Sequence, residues 1–266
     1  MGQRKGLKNG QGNLQAPLRG YAAAIASVFI FNVLLSGDVI AAPEEIQVYL
    51  DDFAEVGKPG LDLHTNYVAS GQQSTDHQSR VTPELSYGVN TNWEVAAYWL
   101  TVTDPRGSPQ TAGMKLRTRW RPKAPSSDSP FYWAVNFEAG QLSKQFYQDE
   151  TSGEVKLIGV WKTDPWTLGM NFNFNRALKD HPIQAATSEI DSKIAYQISD
   201  RLQVGIENYF FLGAIHNDPG QSQSNYANYL AADFNLGRWN FNVGIGHASG
   251  QSPDKTVLKA IIGVPF

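Results

Sequence analysis

The stretch AGMKLRTRW, residues 112–120, sets Lys115, Arg117 and Arg119 at every second position, and Arg121 follows at its end. Alternate residues of an extended chain share one face, so these cations form a stripe. Acidic residues hold comparable alternate positions elsewhere: Glu84, Glu94, Glu138, Glu189, Asp191, Glu207 and Asp233. Lys156, Lys193 and Lys259 do the same. Charged rings or stripes lining a pore set its ion preference. The same charges, paired inside a narrow barrel, instead fill and satisfy a polar interior. Both readings stand, and neither fixes anion over cation selectivity.

Other chemistry finds less support. His77 lies near Ser79 and His247 near Ser249, the only local hints of a hydrolase. No spacing sets a general base on a nucleophile, so the chain is expected not to be an enzyme, with a lipid-active enzyme as an alternative. His77, His181, His216 and His247 fall in or near long polar loops, three of them with an Asp nearby. Metal capture there is conceivable, but loop polarity explains them as well. There is no cysteine, hence no disulfide framework, and no glycine loop built to cradle phosphate. No cofactor or metal is expected.

These charges need elements to position them, and the chain supplies a rhythm. In LDLHTNYVA (61–69), Leu61, Leu63, Thr65, Tyr67 and Ala69 alternate with Asp62, His64, Asn66 and Val68. A period of two is the strand signature. It recurs at 81–89, 93–102, 112–120, 131–139, 154–162, 166–175, 188–198, 202–211, 225–236, 239–247 and 257–266. That makes twelve strands, with the apolar phase ambiguous in the third and sixth. Tight connections such as NTN (90–92), TDP (163–165), SD (199–200) and GR (237–238) alternate with long polar loops. PKAPSSDSP (122–130) is the longer exception on the tight side. Short turns at one end, long loops at the other and an even strand number describe a transmembrane antiparallel up-and-down barrel.

The aromatic residues sort by strand end. Trp93, Trp133, Trp166 and Trp239 begin strands just after short turns, and Trp120 and Trp161 end strands just before them. Six of the seven tryptophans thus gather at one end, with Phe131, Tyr196 and Phe266. Tyr67, Trp99, Phe174, Phe210 and Tyr226 form a looser girdle at the other. Trp and Tyr favour membrane–water interfaces because the ring is apolar and its polar atom needs a partner. The lipid bilayer is therefore the expected surrounding.

The two ends of the chain agree. Arg4, Lys5, Lys8 and Arg19 precede an apolar run from Tyr21 to Gly37, and VIAAPEE follows. This is the design of a secretory signal, with cleavage expected after Ala41. Residues 1–41 hold four of the 22 basic and one of the 25 acidic residues, which leaves 18 against 24, a net of about −6. An exported acidic chain is a poor nucleic-acid partner. At the other terminus LKAIIGVPF (258–266) places Leu258, Ala260, Ile262, Val264 and Phe266 on one apolar face. In hydrocarbon every backbone polar group needs a partner, so this last strand must pair with the first.

The tail resembles the C-terminal signal of bacterial outer-membrane barrels, and that resemblance implies recognition of the Phe266 strand by the barrel assembly machinery. EIQVYLDDF, KPGLDLHTNYVASG, TPELSYGVNTNWEVAAYW, AGMKLRTRW, VNFEAG and WNFNVGIG, in that order, resemble an uncharacterised proteobacterial outer-membrane β-barrel family. The resemblance implies a fold and carries no catalytic or ligand residues. The expected organisation is a signal peptide at 1–41, a short periplasmic or lumen segment at 42–57 and an outer-membrane barrel at 58–266. The expected function is a porin-like channel for small hydrophilic solutes or ions in a Gram-negative outer membrane. Its pore lining would be Lys115, Arg117, Arg119, Arg121, Glu84, Glu138, Asp191, Lys193, Glu207 and Asp233. A closed barrel with a structural or loop-mediated binding role is the alternative.

Overall fold

The computed structural model describes residues 45–72, 75–103, 107–126, 128–147, 150–178, 186–215, 225–250 and 252–265. The expected signal segment 1–41, His181, His216 and Phe266 lie outside them. The strands are β1 (Pro59–Gly71), β2 (Ser79–Gly88), β3 (Trp93–Thr103), β4 (Pro109–Trp120), β5 (Phe131–Leu142) and β6 (Thr151–Thr163). They continue as β7 (Trp166–Ala177), β8 (Thr187–Ser199), β9 (Leu202–Ala214), β10 (Asn225–Leu236), β11 (Trp239–Ala248) and β12 (Asp254–Val264). Each alternating stretch of the sequence became one strand. Every strand pairs antiparallel with its sequence neighbours, and β1 pairs with β12 from Leu61↔Val264 to Gly71↔Asp254, so the sheet closes on itself. Closure leaves no unpaired strand edge.

The two phases of each strand separate as the alternation requires. On β1 the inward His64, Asn66 and Val68 are buried while Tyr67 on the other phase is exposed. Leu85, Leu116, Leu157, Leu230, Ile245 and Leu258 stand exposed on the outer wall, with Leu116 and Leu230 each at 65 %. An apolar belt of this extent is the mark of a lipid-facing surface. Its broadest polar interruption among the described residues is on β8, β9 and β10, where Ser192, Asn208 and Asn228 follow one another on outward positions. Asn208 Nδ2 donates to Ser192 Oγ at 3.4 Å, so each softens the other's lack of water.

The tryptophans ring the short-turn end. Trp93 faces Trp120 across β3 and β4 with ring centroids 6.3 Å apart, and Trp120 meets Trp133 edge-on at 5.6 Å. Trp166 packs edge-on to Tyr196 at 4.9 Å, while Trp161 and Trp239 are exposed on the same rim. At the long-loop end Tyr67, Trp99 and Phe174 are exposed, whereas Phe210 is buried. In vesicles, lipids brominated near the headgroup should quench the tryptophan fluorescence more than lipids brominated near the chain end. Equal or inverted quenching would contradict this placement.

The ambiguous phases of the third and sixth strands have a physical cause. Tyr98, Leu100 and Val102 of β3 point inward yet are apolar, because they pack with Ala112 against Leu142, Phe146 and Tyr147. Ile158 and Val160 of β6 also point inward, where they pack with Tyr132 and Ala134 against Tyr49, Leu50 and Phe53. Both strands are apolar on both faces wherever the interior holds an apolar filler.

Candidate functional site

That second filler comes from residues 45–57, which form no strand and run through the lumen. Val56 makes an isolated parallel bridge to Gly88 at the short-turn mouth, and Gly57 N–H donates to the Gly88 carbonyl at 2.7 Å. A side chain at 88 would strike the carbonyls of Ala54 and Glu55, so glycine is required where the segment enters. Deeper in, Ile46 and Val48 pack with Val68, Tyr209, Ala227, Tyr229, Ala248 and Val257. The segment therefore reaches from the short-turn mouth into the long-loop half.

The barrel wall holds its backbone. Tyr49 N–H donates to Asn171 Oδ1 at 2.7 Å, and Asn171 Nδ2 donates back to the Tyr49 carbonyl at 2.9 Å. Lys259 Nζ donates to the Ile46 carbonyl at 3.0 Å, Ala54 N–H donates to Glu94 Oε2 at 2.5 Å, and Arg119 donates to the Asp52 carbonyl.

The charged residues group around it in three clusters. In the first, Arg117 lies 2.5 Å from both Glu84 and Glu94, donates to the Tyr98 hydroxyl at 2.6 Å and to that of Tyr49 at 2.9 Å. Arg119 shares Glu94 at 3.1 Å, and His64 Nε2 meets Glu84 at 3.0 Å. In the second, Glu207 takes Lys193 at 3.0 Å, Lys259, and the Tyr209 hydroxyl at 2.9 Å. Lys193 also reaches Asp233 at 2.7 Å, which accepts from Asn242 Nδ2 at 2.7 Å. Lys259 and Glu207 stand on β12 and β9, so their contact bridges non-adjacent strands.

The third cluster lies on β5 to β8. Lys156 meets Glu154 at 3.2 Å, Asn136 Nδ2 donates to Glu138 at 2.8 Å, and Asn173 Nδ2 donates to Asp191 at 2.7 Å. Lys115 is half-buried on the same inward phase of β4. Arg121 stands past the end of β4, at the short-turn mouth. Its Nε donates to the Thr91 carbonyl at 2.8 Å, and its guanidinium lies 4.0 Å from the Phe53 ring centroid.

The interior so assembled is dense. Arg119 is 2 % exposed, Glu207 1 % and Asn171 0 %. This cross-section is filled by paired side chains and by the segment.

Alternation accounts for most of the lining. His64, Arg80, Asn136, Asn171 and Asn173 also hold inward positions and were findable by the same count, though only charged residues stand out by type. Tyr49, central to the first cluster, carries no periodic signal. Arg80 pairs with Asp254 at 2.5 Å. The two described loop histidines meet other groups: His77 Nδ1 meets the Tyr67 hydroxyl at 2.8 Å and its Nε2 lies 3.5 Å from Asp76, while His247 Nδ1 lies 3.5 Å from Thr256 Oγ1. Among the described residues no group of three or more His, Cys, Asp or Glu is placed to hold a metal ion.

No family model and no curated protein matches the sequence. Solved structures do share the fold. The KdgM porin superposes with a TM-score of 0.55 at 11 % identity, covering 78 % of this chain and 99 % of that one. The NanC porin gives 0.54 at 12 % identity over 77 % and 98 %. An outer membrane channel from Pseudomonas putida F1 gives 0.57 at 9 % identity over 84 % and 100 %. At such identities the likeness is one of fold.

Proposed function

We propose that this protein is a porin-like channel for passive passage of small hydrophilic solutes or ions, residing in the outer membrane of a Gram-negative bacterium. The observation that carries the reading is a closed barrel with an apolar outer wall and a charged inner wall around one axis. The fold shared with the KdgM and NanC porins and the Pseudomonas putida channel supports it. Lys115, Arg117, Arg119, Glu84, Glu138, Asp191, Lys193, Glu207 and Asp233 would line the passage, with Arg121 at its short-turn mouth. The short-turn end faces the periplasm in this reading, as in other barrels of the class. Vesicles carrying the refolded chain should swell in iso-osmotic solutions of small solutes and resist larger ones. Folded barrels that swell no faster than empty vesicles would overturn the proposal.

A second reading, a closed barrel with a structural or loop-mediated binding role, draws on the ion pairs that tie non-adjacent strands together inside the barrel, above all Lys259 with Glu207. The swelling assay separates the two. The fold neighbours are porins and channels rather than enzymes, which supports a non-enzymatic role.

The precursor would be exported through residues 1–41 and inserted by the barrel assembly machinery, which would read the closing strand and its terminal Phe266. Intact mass of the membrane-extracted protein should correspond to a chain beginning at Ala42. A mass that retains residues 21–37 would replace the cleaved signal with an anchor.

A further inference from the structure

We propose that the inner wall is a binding track for an extended acidic peptide, and that residues 45–54 of the same chain are its resident, releasable occupant. The opening that follows release rests on the channel reading. The binding track does not.

Three features of the wall are those of a peptide site. The first is recognition of backbone. Asn171 grips both the N–H and the carbonyl of Tyr49, at 2.7 and 2.9 Å. Lys259, Arg119 and Glu94 take further main-chain groups at Ile46, Asp52 and Ala54. Contacts to main chain hold an extended peptide, and pockets for its side chains supply selectivity.

The second is a set of such pockets. The Tyr49 ring lies among Arg117 at 5.3 Å, Arg119 at 5.4 Å and Lys156 at 4.3 Å. Phe53 sits under Arg119 at 4.2 Å and Arg121 at 4.0 Å. Cations over ring faces are favourable, more so when desolvated. At Gly169 even a methyl group would come within 2.5 Å of Leu50, so the wall is hollowed for that side chain.

The third is charge. Asp51 pairs with Lys162, and Asp52 lies 3.9 Å from Arg119. The track thus matches an acidic peptide with aromatic residues four positions apart.

The seating is also of a kind that can be undone. Beyond the Val56–Gly88 bridge the segment shares no strand ladder with the wall. At the mouth the Asp52 side chain is 64 % exposed, and a cavity of about 270 Å³ lined by Asp51, Tyr132, Val160 and Lys162 lies beside it. A tethered ligand of this kind acts at millimolar effective concentration. A free peptide at similar concentration can therefore compete with it.

The chain has no cysteine, which makes the test clean on the full protein. Leu50→Cys alone gives one thiol inside the lumen. Combined with Gly169→Cys it gives a pair that oxidation can lock. In membranes carrying Leu50→Cys, a charged maleimide should label the thiol slowly. A millimolar synthetic peptide, EIQVYLDDFA, should raise that rate several-fold, and a scrambled peptide should not. In planar bilayers the oxidised double variant should conduct at least tenfold less than the same protein after reduction. If the peptide leaves labelling unchanged and the lock leaves an open channel conducting, the segment is a permanent filler and the inference falls, while the channel reading survives. If the peptide accelerates labelling but locked and reduced proteins are both silent, the track stands and the channel reading falls.

Discussion

Arg117→Ala is expected to lower the stability of the folded barrel by about 3–5 kcal/mol, the usual cost of removing one partner from a buried ion network. Arg117 lies 2.5 Å from Glu84 on β2 and from Glu94 on β3, and it also serves the hydroxyls of Tyr98 and Tyr49. Without it two buried carboxylates keep only His64 and Arg119 as charged partners. Urea unfolding of the refolded protein in lipid vesicles, followed by tryptophan fluorescence, measures the change. Arg117→Lys should lose less, since the charge stays but the planar fork that reaches two carboxylates is gone. Unfolding of Arg117→Ala at the wild-type urea concentration would show that the cluster is water-filled and weakly coupled.

Asn171→Leu is expected to have the largest effect on opening. The variant removes both bonds to the Tyr49 backbone and keeps a side chain of similar volume. Two hydrogen bonds at about 1 kcal/mol each give about 2 kcal/mol, or roughly a thirtyfold shift toward the released segment. Asn171→Asp retains the acceptor for the Tyr49 N–H and loses the donor to its carbonyl, so it should fall between. Single-channel open probability reads the shift directly. Equal open probability in Asn171→Leu and the parent would mean that this clamp does not hold the passage shut.

Strand number, the phase of all strands but the third and sixth, and the tryptophan rim were legible because each depends on residues near in sequence. Alternation put Arg117, Glu207 and Lys193 inward without any knowledge of their neighbours. Their partners were not legible in the same way. Glu84 meets Arg117 from two strands away, and Lys259 meets Glu207 from three strands away. Such pairs depend on stagger and closure, which a period of two does not encode.

Whether the segment before the first strand lies in the periplasm or in the lumen stayed open in the sequence for a related reason. Its contacts are with Asn171, Lys259 and Glu94, all far along the chain, and a piece that forms no strand has no period to read. Yet it left a trace. The doubly apolar phase of β6 marks where Ile158 and Val160 receive Tyr49 and Phe53, and that of β3 marks where Leu100 and Val102 receive Phe146 and Tyr147. In a barrel sequence, a strand apolar on both faces points to something packed inside.

The most direct measurement is single-channel recording of the refolded mature protein in a planar bilayer. The expected trace shows discrete, salt-dependent steps separated by long closed periods, with closed periods shortened in Asn171→Leu. Folded barrels that stay silent in both proteins, at every salt concentration and voltage, would contradict the channel and leave a sealed barrel whose work lies in its external loops.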